Sequence, residues 1–76
     1  MNEEIAQAIL KFIYTSVETT GVVPSQREIA EACYISKGSV SNYLFYLEEL
    51  GWIGRHKGVQ RGIYLKFEKL GQMFTS

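Results

Sequence analysis

Residues 25–50 read SQREIAEACYISKGSVSNYLFYLEEL, and this stretch decides the fold of the chain. Ser25 suits a helix N-cap, because its hydroxyl can accept a hydrogen bond from a free backbone N–H in the first turn. Glu28, three residues later, can bond back to the Ser25 N–H and complete a capping box. The pattern predicts a helix that begins after Ser25. Its apolar face consists of Ile29, Ala30 and Cys33.

A second helix is predicted after a short turn at Tyr34 and Ile35, with Ser36 as its N-cap. Apolar residues recur at i, i+3, i+4, i+7 and i+10, the period of one helical face. These residues are Val40, Tyr43, Leu44, Leu47 and Leu50. The opposite face carries Lys37, Gly38, Ser41, Asn42 and Phe45. A helix with an apolar back and a small, polar front suits entry into the major groove of DNA.

Residues 2–19 are predicted to form an earlier helix, with Asn2 as N-cap and Gly21 as the left-handed residue after its end. Its main apolar stripe comprises Ile5, Ala8, Ile9, Phe12, Ile13 and Ser16. A weaker second stripe comprises Leu10, Tyr14 and Val17. One amphipathic helix needs only one apolar face, so the second stripe requires a partner.

The remainder of the chain reads as a β-hairpin. Residues 22–24 are predicted to be extended and could add a short strand. Residues 52–56 and 62–67 are predicted strands, joined by the loop 57–61. A two-stranded hairpin is marginal in water unless its apolar side chains pack on other elements. Three helices followed by a hairpin with a basic tip predict a winged helix-turn-helix: mainly α, with a three-helix core and a small β wing.

The length of 76 residues favours one domain. We predict that residues 1–66 form the winged helix-turn-helix and that residues 67–76 form a tail or short C-terminal helix. The tail has its own apolar stripe, which comprises Phe67, Leu70, Met73 and Phe74. This stripe is expected to cover the second stripe of the first helix. The alternative is that both stripes form a homodimer surface.

The net charge is zero, but the charges are divided unevenly along the chain. Residues 1–34 carry two basic and five acidic side chains, a net −3, whereas residues 35–66 carry five basic and two acidic ones, a net +3. The positive segment contains the predicted groove-facing helix. This polarity suits a small module that presents one face to phosphates.

Other classes of protein are not indicated. No apolar run approaches the roughly 20 residues that cross a membrane, and the acidic start MNEEI lacks the basic residues of a signal peptide. Cys33 is the only cysteine, which predicts a small core thiol in a reducing cytoplasm. His56 has no neighbouring ligand or catalytic partner, and no glycine-rich phosphate loop occurs. We expect no enzyme activity, metal, cofactor, membrane partner or small-molecule ligand.

Candidate DNA contacts lie in the first turns of the groove-facing helix. The residues are Ser36, Lys37, Ser39, Ser41 and Asn42. Ser36 or Ser39 could donate to a phosphate, and Asn42 could pair with an adenine edge. Phe45 could touch a thymine methyl or, as is more usual, pack under a loop or the wing. Tyr46 could bind a phosphate or pad the wing. The alternative for the polar residues is an ordinary solvated surface.

Basic residues outside that helix complete the predicted interface. Arg55, Lys57 and Arg61 crowd the hairpin and could contact phosphate or the minor groove, while Arg27 could hold another phosphate. A charged hairpin tip also occurs on soluble proteins that bind no DNA.

The sequence resembles the DNA-binding domain of the LexA repressor family over about residues 5–66. The matching residues are Thr20-Gly21, Pro24, Arg27-Glu28-Ile29-Ala30, Leu44, Leu47, Gly51, Ile53, Arg61-Gly62-Ile63 and Leu65. Three departures are visible: a shorter segment before the third helix, Tyr34 at a position usually held by glycine, and different surface residues on that helix. The self-cleaving protease domain of the family has no counterpart in these 76 residues, so autoproteolytic regulation is not expected.

The resemblance implies a sequence-specific double-stranded DNA-binding regulator, expected to be a repressor of bacterial or phage type. Two alternatives remain open from the residues. Zero net charge and exposed aromatics would suit a winged helix used for protein–protein interaction. The chain could also be a DNA-binding subunit of a replication or recombination complex.

Overall fold

The computed structural model describes residues 1–56, 58 and 62–66. Three helices come first: α1 (Glu3–Thr20), α2 (Gln26–Cys33) and α3 (Lys37–Glu49). Two antiparallel strands follow, β1 (Ile53–Arg55) and β2 (Ile63–Leu65), with Gly54 opposite Tyr64. This order confirms the predicted winged helix-turn-helix. None of the helices in the described ranges is long and apolar enough to cross a membrane.

Local sequence sets both ends of α1. The Asn2 side chain accepts hydrogen bonds from the N–H groups of Glu4 and Ile5, at 2.9 and 3.2 Å. Gly21 ends the helix in the left-handed region, with φ of 74°. Both capping predictions are confirmed.

The capping box of α2 is also confirmed. The Ser25 hydroxyl accepts from the Glu28 N–H, and the Glu28 carboxylate accepts from the Ser25 N–H, each at 3.1 Å. The helix ends at Tyr34, whose φ of 58° is the only positive value at a non-glycine position in the part of the chain described. The N–H groups of Tyr34 and Ile35 both donate to the Ala30 carbonyl and close the helix.

The core lies where the three helices and the hairpin meet. Its buried residues are Ala6, Ile9, Leu10, Ile13, Ile29, Ala30, Val40, Tyr43, Leu44, Leu47, Ile53, Ile63 and Leu65. Leu10 belongs to this core, and Tyr14 and Val17 pack against its edge. The partner that the second stripe of α1 requires is thus provided at least in part by the core, because α1 contacts both α2 and α3. The proposed covering by residues 67–76 lies outside the described residues.

Three predictions about packing were wrong. Ala8 is exposed while its neighbour Ala6 is buried, because the buried face of α1 is centred one position away from the predicted stripe. Leu50 is 40% exposed, because α3 ends at Glu49 and Leu50 is the C-cap. Residues 22–24 add no strand to the two-stranded sheet. The Val22 N–H instead donates to the Thr20 hydroxyl at 3.2 Å, and Pro24 has no N–H to offer.

The chain passes from α3 into the hairpin through a Schellman motif. The Gly51 N–H donates to the Glu48 carbonyl and the Trp52 N–H to the Leu47 carbonyl, both at 3.0 Å. Gly51 has φ of 83°, the left-handed conformation that this motif requires. The prediction that Gly51 stops the third helix is confirmed. The motif also turns the chain directly into β1, so no flexible linker separates α3 from the wing.

The hairpin strands are shorter than predicted, but bonds beyond them extend their pairing. The Lys66 N–H donates to the Trp52 carbonyl at 3.0 Å, and the His56 N–H donates to the Gly62 carbonyl at 2.6 Å. Tyr64 lies across Gly54, so closely that a Cβ on Gly54 would stand 2.2 Å from the Tyr64 Cζ. The Tyr64 ring also contacts the His56 ring, with centroids 4.9 Å apart.

Candidate nucleic-acid interface

The face of α3 opposite the core is open to solvent. Val40 and Leu44 point into the core, whereas Gly38, Asn42 and Phe45 are exposed. Ser41, at the margin of this face, is half-buried. A helix buried on one side and bare on the other can contact a ligand without disturbing its own packing. We call Gly38, Ser41, Asn42 and Phe45 the α3 outer face.

Phe45 is the largest apolar side chain of the α3 outer face. It is 58% exposed, and in the part of the chain that the structure describes it is not packed under a loop or the wing, which was the arrangement expected to be more usual. Covering an exposed aromatic ring removes apolar surface from water and lowers the free energy of the complex. The exposed ring beside the Asn42 amide gives this face one apolar group and one group that can donate and accept hydrogen bonds.

The N-terminal turn of α3 distinguishes two serines. The Ser36 hydroxyl accepts from the Ser39 N–H at 3.1 Å, and its own hydrogen is directed to the Ser39 hydroxyl at 3.0 Å. Ser36 is thereby occupied as the helix cap. Ser39 keeps its hydroxyl hydrogen for an external acceptor, and the adjacent Lys37 is exposed. Of the two serines, Ser39 is the better placed donor.

Two tyrosines of α3 hold the beginning of α1. The Tyr43 hydroxyl accepts from the Asn2 N–H at 3.1 Å, and the Tyr46 hydroxyl donates to the Glu3 carboxylate. The hydrogen bond to Glu3, followed by burial and the charge of Glu3, raises the pKa of Tyr46 above its ordinary value of 10.0. The Tyr46 hydroxyl thus joins α3 to the first turn of α1. The two roles predicted for Tyr46, a phosphate contact and packing against the wing, stay predictions.

Arg27 lies in the first turn of α2 and is paired with Glu31. Its Nε is 3.3 Å from a Glu31 carboxylate oxygen, and the two side chains are 81% and 70% exposed. An ion pair so open to water contributes at most about 1 kcal/mol. A phosphate can therefore compete for the guanidinium at small cost, and the pair does not remove Arg27 from the candidate contacts.

The wing contributes fewer described residues than predicted. Arg55 is half-buried on β1, and His56 is exposed beside it. Lys57 and Arg61 lie outside the described residues. Their predicted contacts stay predictions.

Cys33 lies half-buried at the end of α2. Burial raises the pKa of its thiol above the ordinary value of 9.0, which lowers the fraction of reactive thiolate. In the ranges that the structure describes, no group of three or more His, Cys, Asp or Glu side chains could hold a metal ion.

Two features of this surface were not predicted from the sequence: the exposure of the Tyr34 side chain and the hydrogen bond between Tyr46 and Glu3. Tyr34 is 93% exposed, although it interrupts a strongly patterned stretch between two buried helices. The Tyr46–Glu3 bond joins residues 43 positions apart, so no local motif encodes it. The first could have been sought as a large side chain at a position that favours glycine.

A capped helix with a bare outer face, preceded by a short helix and followed at once by a hairpin, defines a winged helix-turn-helix domain of the DNA-binding class. The family model for the LexA DNA binding domain matches residues 4–62. The chain belongs to the LexA DNA-binding domain family.

Individual relatives agree with this assignment. The LexA repressors of Xylella fastidiosa strains M23 and M12 are each 46% identical to this chain over 65 residues, and that of strain 9a5c is 45% identical. The matched region covers 83% of this chain and 30% of each repressor. The chain therefore spans less than a third of the length of these relatives.

Proposed function

We propose that this chain binds double-stranded DNA in a sequence-specific manner and represses transcription. In this proposal α3 enters the major groove, and the wing contacts the adjacent backbone or minor groove. The observation that supports it best is the α3 outer face, which is exposed at Asn42 and Phe45 while the opposite side of the helix is buried. Membership of a DNA-binding family supports the same function.

Base reading is assigned to Asn42 and Phe45. Asparagine can pair with both the N6 and N7 atoms of adenine, and an apolar ring can contact the C5 methyl of thymine. The two residues are three positions apart, about 4.5 Å along a helix, compared with about 3.4 Å between successive base pairs. They are therefore spaced to read neighbouring base pairs. Both chemistries favour A·T pairs.

Phosphate binding is assigned to residues around this centre. On α3 and its cap these are Ser36, Lys37, Ser39 and Ser41, with Ser39 as the better placed hydroxyl donor. Arg27 extends the contact to α2, and Arg55, Lys57 and Arg61 extend it to the wing. Such contacts fix the orientation of a protein on the duplex and carry no sequence information themselves.

Repression follows from occupancy, because a domain in the groove obstructs the access of a polymerase to the same DNA. Two copies on paired half-sites would raise affinity, as is common for helix-turn-helix proteins. In this proposal the site of action is the cytoplasm, where bacterial DNA is located. The number of copies on a selected duplex can be measured by sedimentation, and a strict monomer with and without DNA would exclude the paired arrangement.

Selection from random duplexes provides the main test. Asn42→Ala should relax the preference at one base pair, whereas Arg61→Ala should weaken binding to all sequences about equally. Gln7→Ala, which removes an exposed amide from α1, is the matched control and should leave the selected sequence unchanged. Failure of the wild-type chain to enrich any sequence would contradict the proposal.

The contact of Phe45 can be tested by changing one atom group in the DNA. Deoxyuridine in place of thymidine removes only the C5 methyl. Loss of one buried methyl should weaken the wild-type complex by about fourfold, from roughly 0.8 kcal/mol. The Phe45→Ala variant should not distinguish the two duplexes. An equal loss in both proteins would place the methyl contact elsewhere.

Salt dependence separates DNA binding from the protein-interaction alternative. With about four phosphate contacts, log K should fall against log salt concentration with a slope near −3.6. A module that binds a protein partner would show no duplex affinity with this salt dependence. The selection also separates the other alternative. An operator-binding repressor should enrich one sequence strongly, whereas a general DNA-binding subunit should show weak preference at every position.

A further inference from the structure

Tyr34 combines two unfavourable properties. Its backbone is left-handed, with φ of 58°, and its side chain is 93% exposed. The left-handed region is sterically unfavourable for a residue with a bulky side chain. An exposed aromatic side chain returns little packing energy to offset that cost. The fold alone therefore does not account for tyrosine at this position.

The end of α2 requires a left-handed backbone at position 34, but it does not require a tyrosine side chain there. Tyr34 and Ile35 close α2 through N–H bonds to the Ala30 carbonyl, and any residue that accepts a positive φ can make them. Glycine adopts this conformation without strain, and asparagine tolerates it well. What tyrosine adds is a hydroxyl on a long, rigid arm that points into solvent.

Tyr34 stands at the opposite end of α2 from Arg27. The two positions are seven apart in the sequence, which corresponds to about 10 Å along a helix. The major groove is about 12 Å wide, and in helix-turn-helix proteins the first helix of the motif crosses the DNA backbone above it. The length of α2 thus matches the separation of the two phosphate ridges that border the groove.

We propose that Tyr34 binds a backbone phosphate through its hydroxyl, and that Tyr34 and Arg27 contact the two opposite ridges of the groove that α3 enters. This inference rests on the proposed DNA-binding function and adds a residue to it. Tyrosine hydroxyls are among the groups that donate to phosphate oxygens. Because every sequence has the same phosphates, the contact strengthens binding to all of them. Because the tyrosine hydroxyl is neutral, the contact releases no counterion of its own.

Three substitutions separate this role from a structural one. Tyr34→Phe removes only the hydroxyl, while Tyr34→Asn and Tyr34→Gly also relieve the backbone strain. We expect all three to lower affinity for the selected duplex by about three- to tenfold, the effect of one hydrogen bond. In urea denaturation, Tyr34→Phe should match the wild type, and the other two should unfold at higher urea concentrations. Thr15→Val, which removes an exposed hydroxyl from α1, is the control and should alter neither measurement.

The predicted phosphate can be located with methylphosphonate, which neutralises one phosphate at a time. A position that weakens wild-type binding but not that of Tyr34→Phe identifies the phosphate bound by Tyr34. The same scan with Arg27→Ala should identify a phosphate across the groove on the other strand.

The outcomes distinguish this inference from the proposed function. If the wild-type chain selects no duplex, the proposed function fails. If it selects one and the three Tyr34 variants bind it as tightly as the wild type, only the Tyr34 contact is overturned. Sensitive positions on the same ridge for both residues would also overturn it, because α2 would then not span the groove.

Discussion

The helix-turn-helix and the wing are held together in different ways. In the helix-turn-helix, local side chains cap the helices, and Ile29, Val40 and Leu44 are fully buried between them. In the wing, each strand has only three residues, and a two-stranded sheet cannot stabilise itself. Ile53 and Leu65 gain their burial at the helical core. The helices thus provide the stability of the fold, and the wing depends on them.

Truncation of core side chains should expose this dependence with the largest effect. Leu44→Ala should cost about 3 kcal/mol, because it opens a cavity between the helices, whereas Leu65→Ala should cost about 2 kcal/mol at the less enclosed margin. Urea unfolding followed by circular dichroism measures both. In native conditions the Leu65 variant should keep the helical signal. Equal losses of stability in the two variants would contradict this prediction, because they would mean that Leu65 in the wing is packed as tightly as Leu44 between the helices.

Alanine at two glycines should change stability in opposite directions. At Gly38 a Cβ would meet only the Ser36 Oγ, at 3.9 Å, so Gly38→Ala should stabilise α3 by about 1 kcal/mol. Gly54→Ala should destabilise by roughly 1 kcal/mol, because it displaces the Tyr64 ring and separates it from His56. Thermal unfolding compares the two variants directly.

The Gly38→Ala variant should also separate stability from DNA affinity. Although Gly38→Ala stabilises the helix, it should weaken binding, because the added methyl lies on the α3 outer face. A Gly38 variant that is both more stable and bound as tightly would show that the backbone of α3 does not approach the DNA closely.

The smallest effect is expected at alkaline pH. The raised pKa of Tyr46 means that its protonated form is favoured in the folded chain. Its contribution to stability is therefore complete below the ordinary tyrosine pKa and is lost as pH rises through the higher folded value. Tyr46→Phe should flatten this alkaline decline, whereas the exposed-site control Tyr34→Phe should retain it. Chemical denaturation at a series of pH values provides the measurement.

Local patterns in the sequence were sufficient for the helix ends. Ser25 and Glu28 form the box that their spacing predicts, and Gly51 turns the chain as a glycine after a helix does. The exposure of Asn42 followed from the period of the apolar stripe on the opposite side of α3. These features depend on neighbours within one or two turns, which a single sequence displays.

Packing between distant elements was predicted less well. The burial of Leu10 depends on how many helices surround α1. The Tyr46–Glu3 bond depends on the approach of two helices. Neither of these is contained in the period of one helix. The contacts expected for Lys57, Arg61 and the tail remain predictions.

The Schellman motif at Gly51 has a consequence for the proposed complex. Since α3 and β1 are joined without a linker, the distance between the helix and the hairpin is fixed. The proposed complex should therefore tolerate a changed base at one of the two contacts better than a changed distance between the contacts. One base pair inserted between the DNA positions that the helix and the hairpin touch should therefore be more damaging than a mismatch at either position.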